Sequence, residues 1–517
     1  MGTASSIRSK SRSGIADIVR RIWARDYSLW AAPSPGGGGD WMGWLDLPGS
    51  KFRFPPLDGI TSLNILGMGG SSLTPEVLSN LFPDSTTALN VFDTVNPATI
   101  AEALDSMELS TATFAVASKS GTTVEPLSLE SVFRQALIGS GIDATAGHFV
   151  AISDPGTPLA DRAKNREFAI HVETPANVGG RFSALSAFGM FPASICNMPT
   201  DEMTASAIAM ADRCRTEDET NPGVELGLFM AHNALRGRDK VTFVMSPSLE
   251  RFGLWLEQLL AESTGKNGRG LIPVAGEPIL PSETYGYDRQ FIRIGLADEE
   301  IPFSSAFDEH PTLSIELPDR AAIAGEFFRW EFATSVAASG IGVYPFDQPD
   351  VESAKQFARA ALESGAGQAD HAQTLNDAIR STIGNGKARD YVAIAAFLPE
   401  ADALTNAVSG LRSAISEATG MATTFGYGPR YLHSTGQLHK GGPNSVILLA
   451  LTQDPSVDID VPGQTYSLGD LLAAQAAGDV QACRDKGRRA ELVKIEGDAI
   501  EEIESVTAMI RHETRKR

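Results

Sequence analysis

Thr113-Phe-Ala-Val-Ala-Ser-Lys-Ser-Gly-Thr-Thr123 is the stretch that decides the fold, because an apolar run leads directly into a cluster of hydroxyl groups. Thr113–Ala117 predicts a buried strand, and a helix is expected to begin near Val124-Glu125-Pro126. Between the two lie four hydroxyl side chains and one lysine: Ser118, Lys119, Ser120, Thr122 and Thr123. Hydroxyl donors, the amides of a helix N-terminus and one cation together favour a phosphate monoester. Helix capping explains one of these hydroxyls but not the whole cluster, so we interpret the stretch as a phosphate-binding loop.

A second turn of this kind follows the predicted strand Leu63–Leu66. Its sequence is Gly67-Met-Gly-Gly-Ser-Ser72, and a helix is expected to begin close behind it. Such a turn lets backbone amides approach an anion. A dinucleotide site needs a third glycine where Ser72 stands, although Asp93 supplies an acid after the next strand. On this loop alone, a plain tight turn is about equally consistent with the sequence.

Short apolar runs alternate with longer helical segments from about residue 55 onward, which is typical of βαβ units around parallel sheets. The predicted fold class is therefore α/β, with two large layered units followed by a smaller third one. Residues 1–32 predict a tail and a helix, and Ala32–Asp40 a Gly/Pro linker with no means of packing. The other predicted strands are Leu89–Phe92, His148–Ile152, Phe168–His171, Lys240–Met245, Phe291–Ile294, Thr312–Ile315, Tyr391–Phe397, Ser445–Leu451 and Glu491–Ile495.

The composition indicates the broad class of protein to which the chain belongs. A chain of 517 residues is too long for one core, so two or three domains are expected. With 43 basic and 64 acidic residues, the net charge is −21, which disfavours nucleic acid and anionic membrane as partners. The three cysteines are widely spaced and are interpreted as reduced thiols, and no apolar run is long enough for a membrane span. The sequence therefore predicts a cytoplasmic protein.

Three further segments carry a resemblance to a known family. They are Gly179-Gly-Arg-Phe-Ser183, Gln258-Leu-Leu-Ala-Glu-Ser-Thr-Gly-Lys266 and Pro345-Phe-Asp-Gln-Pro-Asp-Val-Glu-Ser-Ala-Lys355. Together with the two loops, they make the chain similar to the glucose-6-phosphate isomerases. The resemblance implies two sugar-isomerase (SIS) type αβα sandwich domains with parallel sheets, plus a smaller C-terminal α/β region. The expected boundaries are 1–54 for the N-terminal helix and linker, 55–205 and 206–385 for the two sugar-isomerase domains, and 386–517 for the C-terminal region.

The remaining segments narrow the resemblance. Arg25-Asp-Tyr-Ser-Leu-Trp30, Phe425–Gly442 and Leu472–Arg488 are similar to the isomerase half of transaldolase–isomerase fusions. The activity expected here is the isomerase alone: interconversion of glucose 6-phosphate and fructose 6-phosphate, as used in glycolysis and gluconeogenesis. The chemistry is ring opening followed by proton transfer through a cis-enediol.

The resemblance assigns roles to three residues. Glu262, at the end of an apolar helix that Gly265 stops, is expected to be the base, with a pKa raised by partial burial. Arg181 is expected to stabilise developing negative charge on the enediolate oxygens. Lys355 is expected to help open the sugar ring. Without the resemblance, a solvated glutamate, a salt-bridged arginine and a surface lysine are the ordinary interpretations of these residues.

Ring opening in the family also uses a histidine, from a QHSxxQLxxxGP-type segment between the glutamate and the lysine. His310 lies in that interval without such a context, and the best match is instead Leu432-His-Ser-Thr-Gly-Gln-Leu-His-Lys-Gly-Gly-Pro443. We therefore predict that His433 opens the ring and that His439 supports its loop. Gly69, Gly70, Ser71 and Gln258 are expected to bind substrate.

No metal or organic cofactor is expected, because the eight histidines form no HxH or HExxH pattern. The expected partner is a small sugar phosphate, and a homodimer is the assembly that the resemblance implies. A sugar-phosphate-binding regulatory module of the same fold, without catalysis, is the alternative; a dinucleotide oxidoreductase is a weaker one.

Overall fold

The computed structural model describes residues 14–142, 147–165, 167–302, 304–350 and 373–516. The described residues form three separate sheets in which every strand pair is parallel, with helices between the strands. The predicted α/β class is confirmed. Parallel strands require crossover connections, and the alternation of strand and helix in the sequence supplies them.

The first sheet has five strands in the order β2-β1-β3-β4-β5, and the other two have four each, in the orders β7-β6-β8-β9 and β11-β10-β12-β13. The strands are β1 Ser62–Gly67, β2 Ala88–Phe92, β3 Ala112–Ala117, β4 Phe149–Ser153, β5 Ile170–Glu173, β6 Lys240–Met245, β7 Ile272–Val274, β8 Arg289–Leu296, β9 Thr312–Leu317, β10 Tyr391–Phe397, β11 Ala422–Tyr427, β12 Val446–Thr452 and β13 Arg489–Lys494.

The helices are α1 at 14–23, α2 Leu73–Leu81, α3 Pro97–Ser106, α4 Val124–Gly139, α5 Pro158–Lys164, α6 Ala187–Ile195, α7 Thr200–Arg213, α8 Pro222–Leu235, α9 Phe252–Thr264, α10 Ala306–Glu309, α11 Ile323–Ile341, α12 Leu375–Asn385, α13 Asp402–Thr419, α14 Gly436–Gly441, α15 Leu468–Asp485 and α16 Ala499–Thr514. Helices cover both faces of the central strands, so that β3 and β10 are buried along their whole length. This burial explains why both strands are continuous apolar runs in the sequence.

The sequence analysis did not predict two of the strands, and it placed a third strand two residues too early. β7 has only three residues and contains Pro273, and β11 combines threonines with Gly426, so neither shows a strand pattern. The predicted strand Phe168–His171 is found two residues later, as Ile170–Glu173. Phe168 instead packs its ring edge against Phe149, with 6.4 Å between the ring centroids.

The predicted linker Ala32–Asp40 is attached to the rest of the molecule, which corrects the expectation that it cannot pack. The Ser34 amide donates to Asp347 Oδ2 at 2.7 Å, and Gly37 lies so close to Asp347 that a Cβ there would touch the aspartate. Just before the segment, the buried Trp30 indole donates to the Ser335 carbonyl at 2.8 Å. The N-terminal segment is therefore held against the second unit.

The hydrophobic cores cross the predicted domain boundaries. One cluster joins α1 and the first sheet to the second sheet, and another joins the first sheet to the third. The boundaries themselves stay a prediction.

All three cysteines are buried free thiols. Among the residues that the structure describes, none of the helices is long and apolar enough to cross a membrane.

Candidate active site

The hydroxyl-rich loop lies between β3 and α4, as the sequence predicts. Ser118 and Thr123 share a hydrogen bond of 2.8 Å between their hydroxyl oxygens, and Ser120 and Thr122 share one of 2.9 Å. Ser120 and Thr122 face solvent. Thr123 stands at the N-cap of α4 without bonding the helix amides through its side chain. The first-turn amides and the exposed hydroxyls together can therefore receive an anion.

The loop's lysine already has a carboxylate partner. Lys119 Nζ forms an ion pair with Asp154 and also lies 3.4 Å and 3.3 Å from the carbonyl oxygens of Pro175 and Ala176. The side chain is one quarter exposed. An incoming phosphate therefore meets a lysine whose charge is shared with Asp154, and the predicted role of Lys119 in phosphate binding stays a prediction.

The glycine loop after β1 makes close contacts that a side chain would prevent. Gly69 has φ +55°, and a Cβ there would lie 2.7 Å from Gln258 Nε2 and 3.0 Å from the His433 carbonyl oxygen. A Cβ at Gly70 would overlap the Gly180 carbonyl oxygen. Ser71 Oγ donates to the carbonyls of Met68 and of Ala117, at 2.8 and 3.0 Å. The loop therefore brings Gln258, the His433 segment and the Gly179–Ser183 turn together.

Glu262 lies at the buried end of α9, which stops at Thr264 with Gly265 following, as predicted. Its Oε2 accepts hydrogen bonds from Arg181 Nη1 and from Gln258 Nε2, both at 3.3 Å. Burial raises the pKa of the Glu262 carboxyl above its ordinary value, and Arg181 and His433 offset part of that rise. A buried carboxylate with two long hydrogen bonds is suited to accept a proton from carbon near neutral pH.

Arg181 is almost completely buried and is held on every side. Nε donates to Ser263 Oγ at 2.9 Å, and Nη2 donates to the carbonyls of Pro345 at 2.5 Å and Asp347 at 3.0 Å. Burial lowers the pKa of the guanidinium, while Glu262 favours its charged form. Because an arginine stays protonated at physiological pH even so, Arg181 provides a fixed positive charge beside the base.

His433 belongs to the same site as Glu262, because Gln258 contacts both residues. Its Nε2 is 2.8 Å from Glu125 Oε1, and its carbonyl accepts from Gln258 Nε2 at 2.8 Å. Gln475 Nε2 donates to the same Glu125 oxygen at 2.6 Å. Burial favours the neutral carboxyl of Glu125, but the His433 imidazole, together with hydrogen bonds from the backbone and from Gln475, outweighs this effect and lowers the Glu125 pKa. Glu125 thus orients the histidine ring.

Two residues of this site were not assigned by sequence analysis, Glu125 and Lys266. Glu125 follows the hydroxyl loop in the first turn of α4, where an acid is ordinary for a helix start. Lys266 ends the motif that contains Glu262; its Nζ donates to the Tyr344 carbonyl at 2.7 Å and pairs with Asp347 at 2.9 Å. Burial, with Arg181 nearby, lowers the Lys266 pKa to about 7. The sequence signal that could have identified Lys266 as a site residue was its position directly after Gly265, at the end of the buried helix.

The structure thus brings together Glu262, Arg181, Gln258, His433 and the glycine loop. The hydroxyl loop joins this group through Glu125 on α4, and within the described ranges no hydrogen bond connects it directly to Glu262. Lys355 lies outside the described residues. His439 is buried and unconnected to Glu262, and burial lowers its pKa to about 4. Within the described part of the chain, no group of three His, Cys, Asp or Glu side chains is arranged to hold a metal ion.

Comparison with known proteins gives evidence about the family that is independent of the geometry of the site. Residues 56–270 match the family model of phosphoglucose isomerase. The chain is 28% identical to the glucose-6-phosphate isomerase of Rubrobacter xylanophilus over 360 residues, covering 59% of this chain and 83% of the relative. It is 36% identical to a probable glucose-6-phosphate isomerase of Haloquadratum walsbyi over 217 residues, covering 41% of this chain and 50% of that one.

Two solved structures show the same fold. A hypothetical protein from Thermus thermophilus superposes with a TM-score of 0.58 at 21% identity, covering 69% of this chain and 97% of that one. A glucose-6-phosphate isomerase from Chlamydia trachomatis gives a TM-score of 0.52 at 17% identity, covering 69% and 86%. The region matched by the family model contains the hydroxyl loop, Arg181 and Glu262, whereas His433 lies beyond it.

Proposed function

We propose, from the match of residues 56–270 to the family model of phosphoglucose isomerase, that this protein interconverts glucose 6-phosphate and fructose 6-phosphate. The observation that carries the proposal is the buried Glu262 carboxyl, with Arg181 and Gln258 bound to one of its oxygens. This arrangement joins a base to a fixed cation in a site that excludes most water. An aldose–ketose isomerisation requires that combination, because one carbon-bound proton moves while negative charge develops on the neighbouring oxygens.

The phosphate is placed at the N-terminus of α4. The hydroxyls of Ser118, Ser120, Thr122 and Thr123 and the amides of the first turn donate to its oxygens, and Lys119 adds positive charge from its edge. A phosphate held there fixes one end of the sugar, so that the opposite end, with C1 and C2, extends toward Glu262. Such positioning replaces a random encounter by a fixed geometry.

Ring opening is assigned to His433, held by Glu125. The protonated imidazole gives its proton to the ring oxygen as the bond from that oxygen to C1 breaks. The neutral imidazole then takes the proton of the C1 hydroxyl, so that the aldehyde of the open chain results and the histidine is protonated again. Glu125 stabilises the protonated imidazole and fixes which ring nitrogen faces the sugar, because its Oε1 contacts Nε2 at 2.8 Å. Lys355 is proposed to assist at the ring oxygen or at O1.

Isomerisation is assigned to Glu262. The carboxylate takes the proton from C2 of the open aldose, the electron pair forms the C1–C2 double bond of the enediol, and a proton moves between O2 and O1. Glu262 then returns its proton to C1, which gives the ketose. Arg181 stabilises the enediolate oxygens, while Gln258, Gly69, Gly70 and Ser71 line the space beside them. None of these steps calls on a metal or an organic cofactor.

Three further proposals accompany the activity. The domain boundaries 54/55, 205/206 and 385/386 are supported by the three separate sheets, which lie at 62–173, 240–317 and 391–494. A cytoplasmic location is supported by three buried cysteines, all of them free thiols. A homodimer is supported by the family resemblance.

A coupled assay for glucose 6-phosphate formed from fructose 6-phosphate, with a strong chelator present, tests the activity. Turnover that survives chelation, with no nucleotide added except the coenzyme of the coupling enzyme, is the expected result. Loss of activity that added metal restores contradicts the mechanism. Tight binding of fructose 6-phosphate without turnover indicates instead a regulatory module of the same fold.

A further inference from the structure

A cavity of about 430 Å³ is lined by Leu254 and Glu257 of α9, whereas Glu262, further along the same helix, is not among its lining residues. The third sheet supplies another wall, through Phe425 and Tyr427 at the end of β11. The segment after His433 closes it, through Ser434 and Thr435. α9 and the His433 segment therefore contribute to two sites, and the proposed isomerase chemistry uses only one of them.

The floor of the cavity contains an unusual carboxyl, Glu257. It is 5% exposed, and among the described residues its one hydrogen bond is a long one, 3.4 Å from the Ala275 amide to Oε1. Burial raises its pKa to about 8, although the Arg412 charge opposes the rise. At neutral pH the group is therefore mostly a neutral acid, which offers both a hydroxyl donor and a carbonyl acceptor.

The arginines of the cavity wall are already engaged. Arg430 pairs with Asp93 and Glu400, each at 2.8 Å, and Arg251 contacts Glu400 at 3.4 Å. Arg412 donates to the carbonyl oxygens of Ala275, Gly276 and Thr423 at 2.6–2.9 Å. An anion entering the cavity would have to break these pairs, and Glu250 and Asp402 at the rim would repel it.

We propose that this cavity is a second binding site, and that it takes an uncharged, hydroxyl-rich small molecule such as a free hexose or a cyclitol. A neutral carboxyl matches a sugar hydroxyl, which also donates and accepts, and the hydroxyls of Ser434 and Thr435 extend the polar surface. Phe425 and Tyr427, with ring centroids 4.9 Å apart, offer an aromatic surface to the C–H face of a sugar ring. The volume lies in the range of small-molecule sites, about 300–1,000 Å³.

The cavity and the proposed isomerase site share structural elements, so binding in one can affect the other. Glu257 and Gln258 are neighbours on α9, and Gln258 contacts Glu262 and the His433 carbonyl at 3.3 and 2.8 Å. A ligand that immobilises Glu257 therefore also restricts the helix that carries the base.

Saturation-transfer NMR on the full-length protein tests the proposal, with myo-inositol and D-glucose as probes and citrate as an anionic comparison. Saturating sorbitol 6-phosphate, which has no carbonyl to isomerise, occupies the phosphate site throughout. Saturable signals from an uncharged probe are expected. Glu257→Leu should weaken that binding at least about tenfold, the loss of one or more buried hydrogen bonds. Asn406→Trp, a bulky change at the exposed rim, should abolish it.

Glu417→Trp is the matched control, since Glu417 is exposed on the same helix, α13, but does not line the cavity. It should bind the probe and turn over substrate as wild type does, and melting temperatures verify folding of all three variants. The proposal is overturned if no uncharged probe binds saturably, if citrate alone binds, or if Asn406→Trp binds the probe as well as Glu417→Trp does.

Discussion

Arg181 Nη1 lies 3.3 Å from Glu262 Oε2, although the two residues are 81 positions apart in the chain. The contact is a buried ion pair in which, among the described residues, the cation makes four further hydrogen bonds and the carboxylate one. The arginine is therefore immobile, and the carboxylate keeps the freedom to leave it for a substrate proton. This asymmetry distinguishes the pair from a structural salt bridge, in which both partners are saturated.

Replacing the base should abolish proton transfer and leave phosphate binding in place. For Glu262→Gln, we expect isomerisation to fall by about 10²–10⁴-fold or more, since the amide cannot accept the C2 proton. Exchange of the substrate's C2 hydrogen with deuterated water measures this step, and the affinity for sorbitol 6-phosphate measures binding. Glu225→Gln, an exposed glutamate on α8, is the control. Near-normal exchange in Glu262→Gln would mean that the base is another residue.

The pH profile should show the effect of burial on Glu262. Burial raises the pKa of this carboxyl, and the group acts as a base only when deprotonated, so kcat/KM should fall as pH falls through that raised pKa. Arg181 holds the pKa down by its charge. In Arg181→Gln the acid limb should therefore move to higher pH, in addition to a lower rate at every pH. An acid limb that stays in place, or moves to lower pH, contradicts the direct pairing of the two groups.

Lys266 is expected to hold the loop that orients Arg181. It binds the Tyr344 carbonyl and Asp347, and Arg181 binds the carbonyls of Pro345 and Asp347 in the same loop. At about pH 6, below the lowered Lys266 pKa of about 7, the lysine is charged. Lys266→Met then leaves Asp347 buried without its cation, which should cost about 3–5 kcal/mol of unfolding free energy. Denaturant unfolding measures the loss, and kcat should fall with it.

Adding Asp347→Asn to Lys266→Met gives the control for this effect. The amide oxygen still accepts from the Ser34 amide, but the buried charge is gone. The double variant should therefore recover much of the stability lost in Lys266→Met. If the double variant is no more stable than Lys266→Met, the ion pair is not what holds the loop.

One of two glycines of the site should be sensitive to replacement by alanine, and the other should not. Gly70→Ala places a methyl group against the Gly180 carbonyl oxygen, so the glycine loop and the Gly179–Ser183 turn have to separate. We expect a lower melting temperature and strongly reduced turnover. Among the described residues, a Cβ at Gly180 itself meets no heavy atom within 4 Å apart from its chain neighbours, so Gly180→Ala should melt as wild type does. Equal melting temperatures for the two variants would contradict the close approach.

Local patterns in the sequence predicted the strands that matter most, because buried parallel strands are apolar along their whole length. β6 and β10 have the predicted bounds, and β3 differs by one residue. What the sequence does not show is which distant side chains meet. Asp154 beside Lys119, Glu125 beside His433 and Asp347 beside Lys266 are pairings made by the folded chain. No local periodicity encodes these partners, so the sequence analysis named no partner for Lys119 and assigned no role to Glu125.

His433 occupies a position in the order of motifs that departs from the family pattern. The structure places its ring against Glu125 and its carbonyl against Gln258, so the segment is anchored beside the base within one chain. Ring opening needs a group that exchanges protons with the ring oxygen, and open-chain substrate bypasses that step.

His433→Ala should therefore slow turnover of the cyclic sugar phosphate far more than turnover of the open-chain form, whereas Glu262→Gln should slow both. Stopped-flow measurements that begin with each anomer, and with the small open-chain fraction, separate the two steps. His310→Ala is the matched control, because His310 packs beside Tyr285 and Phe291, away from Glu262. Its loss should slow turnover of neither the cyclic nor the open-chain substrate. Equal rates of wild type and His433→Ala on the cyclic substrate would show that another group, such as Lys355 or water, opens the ring.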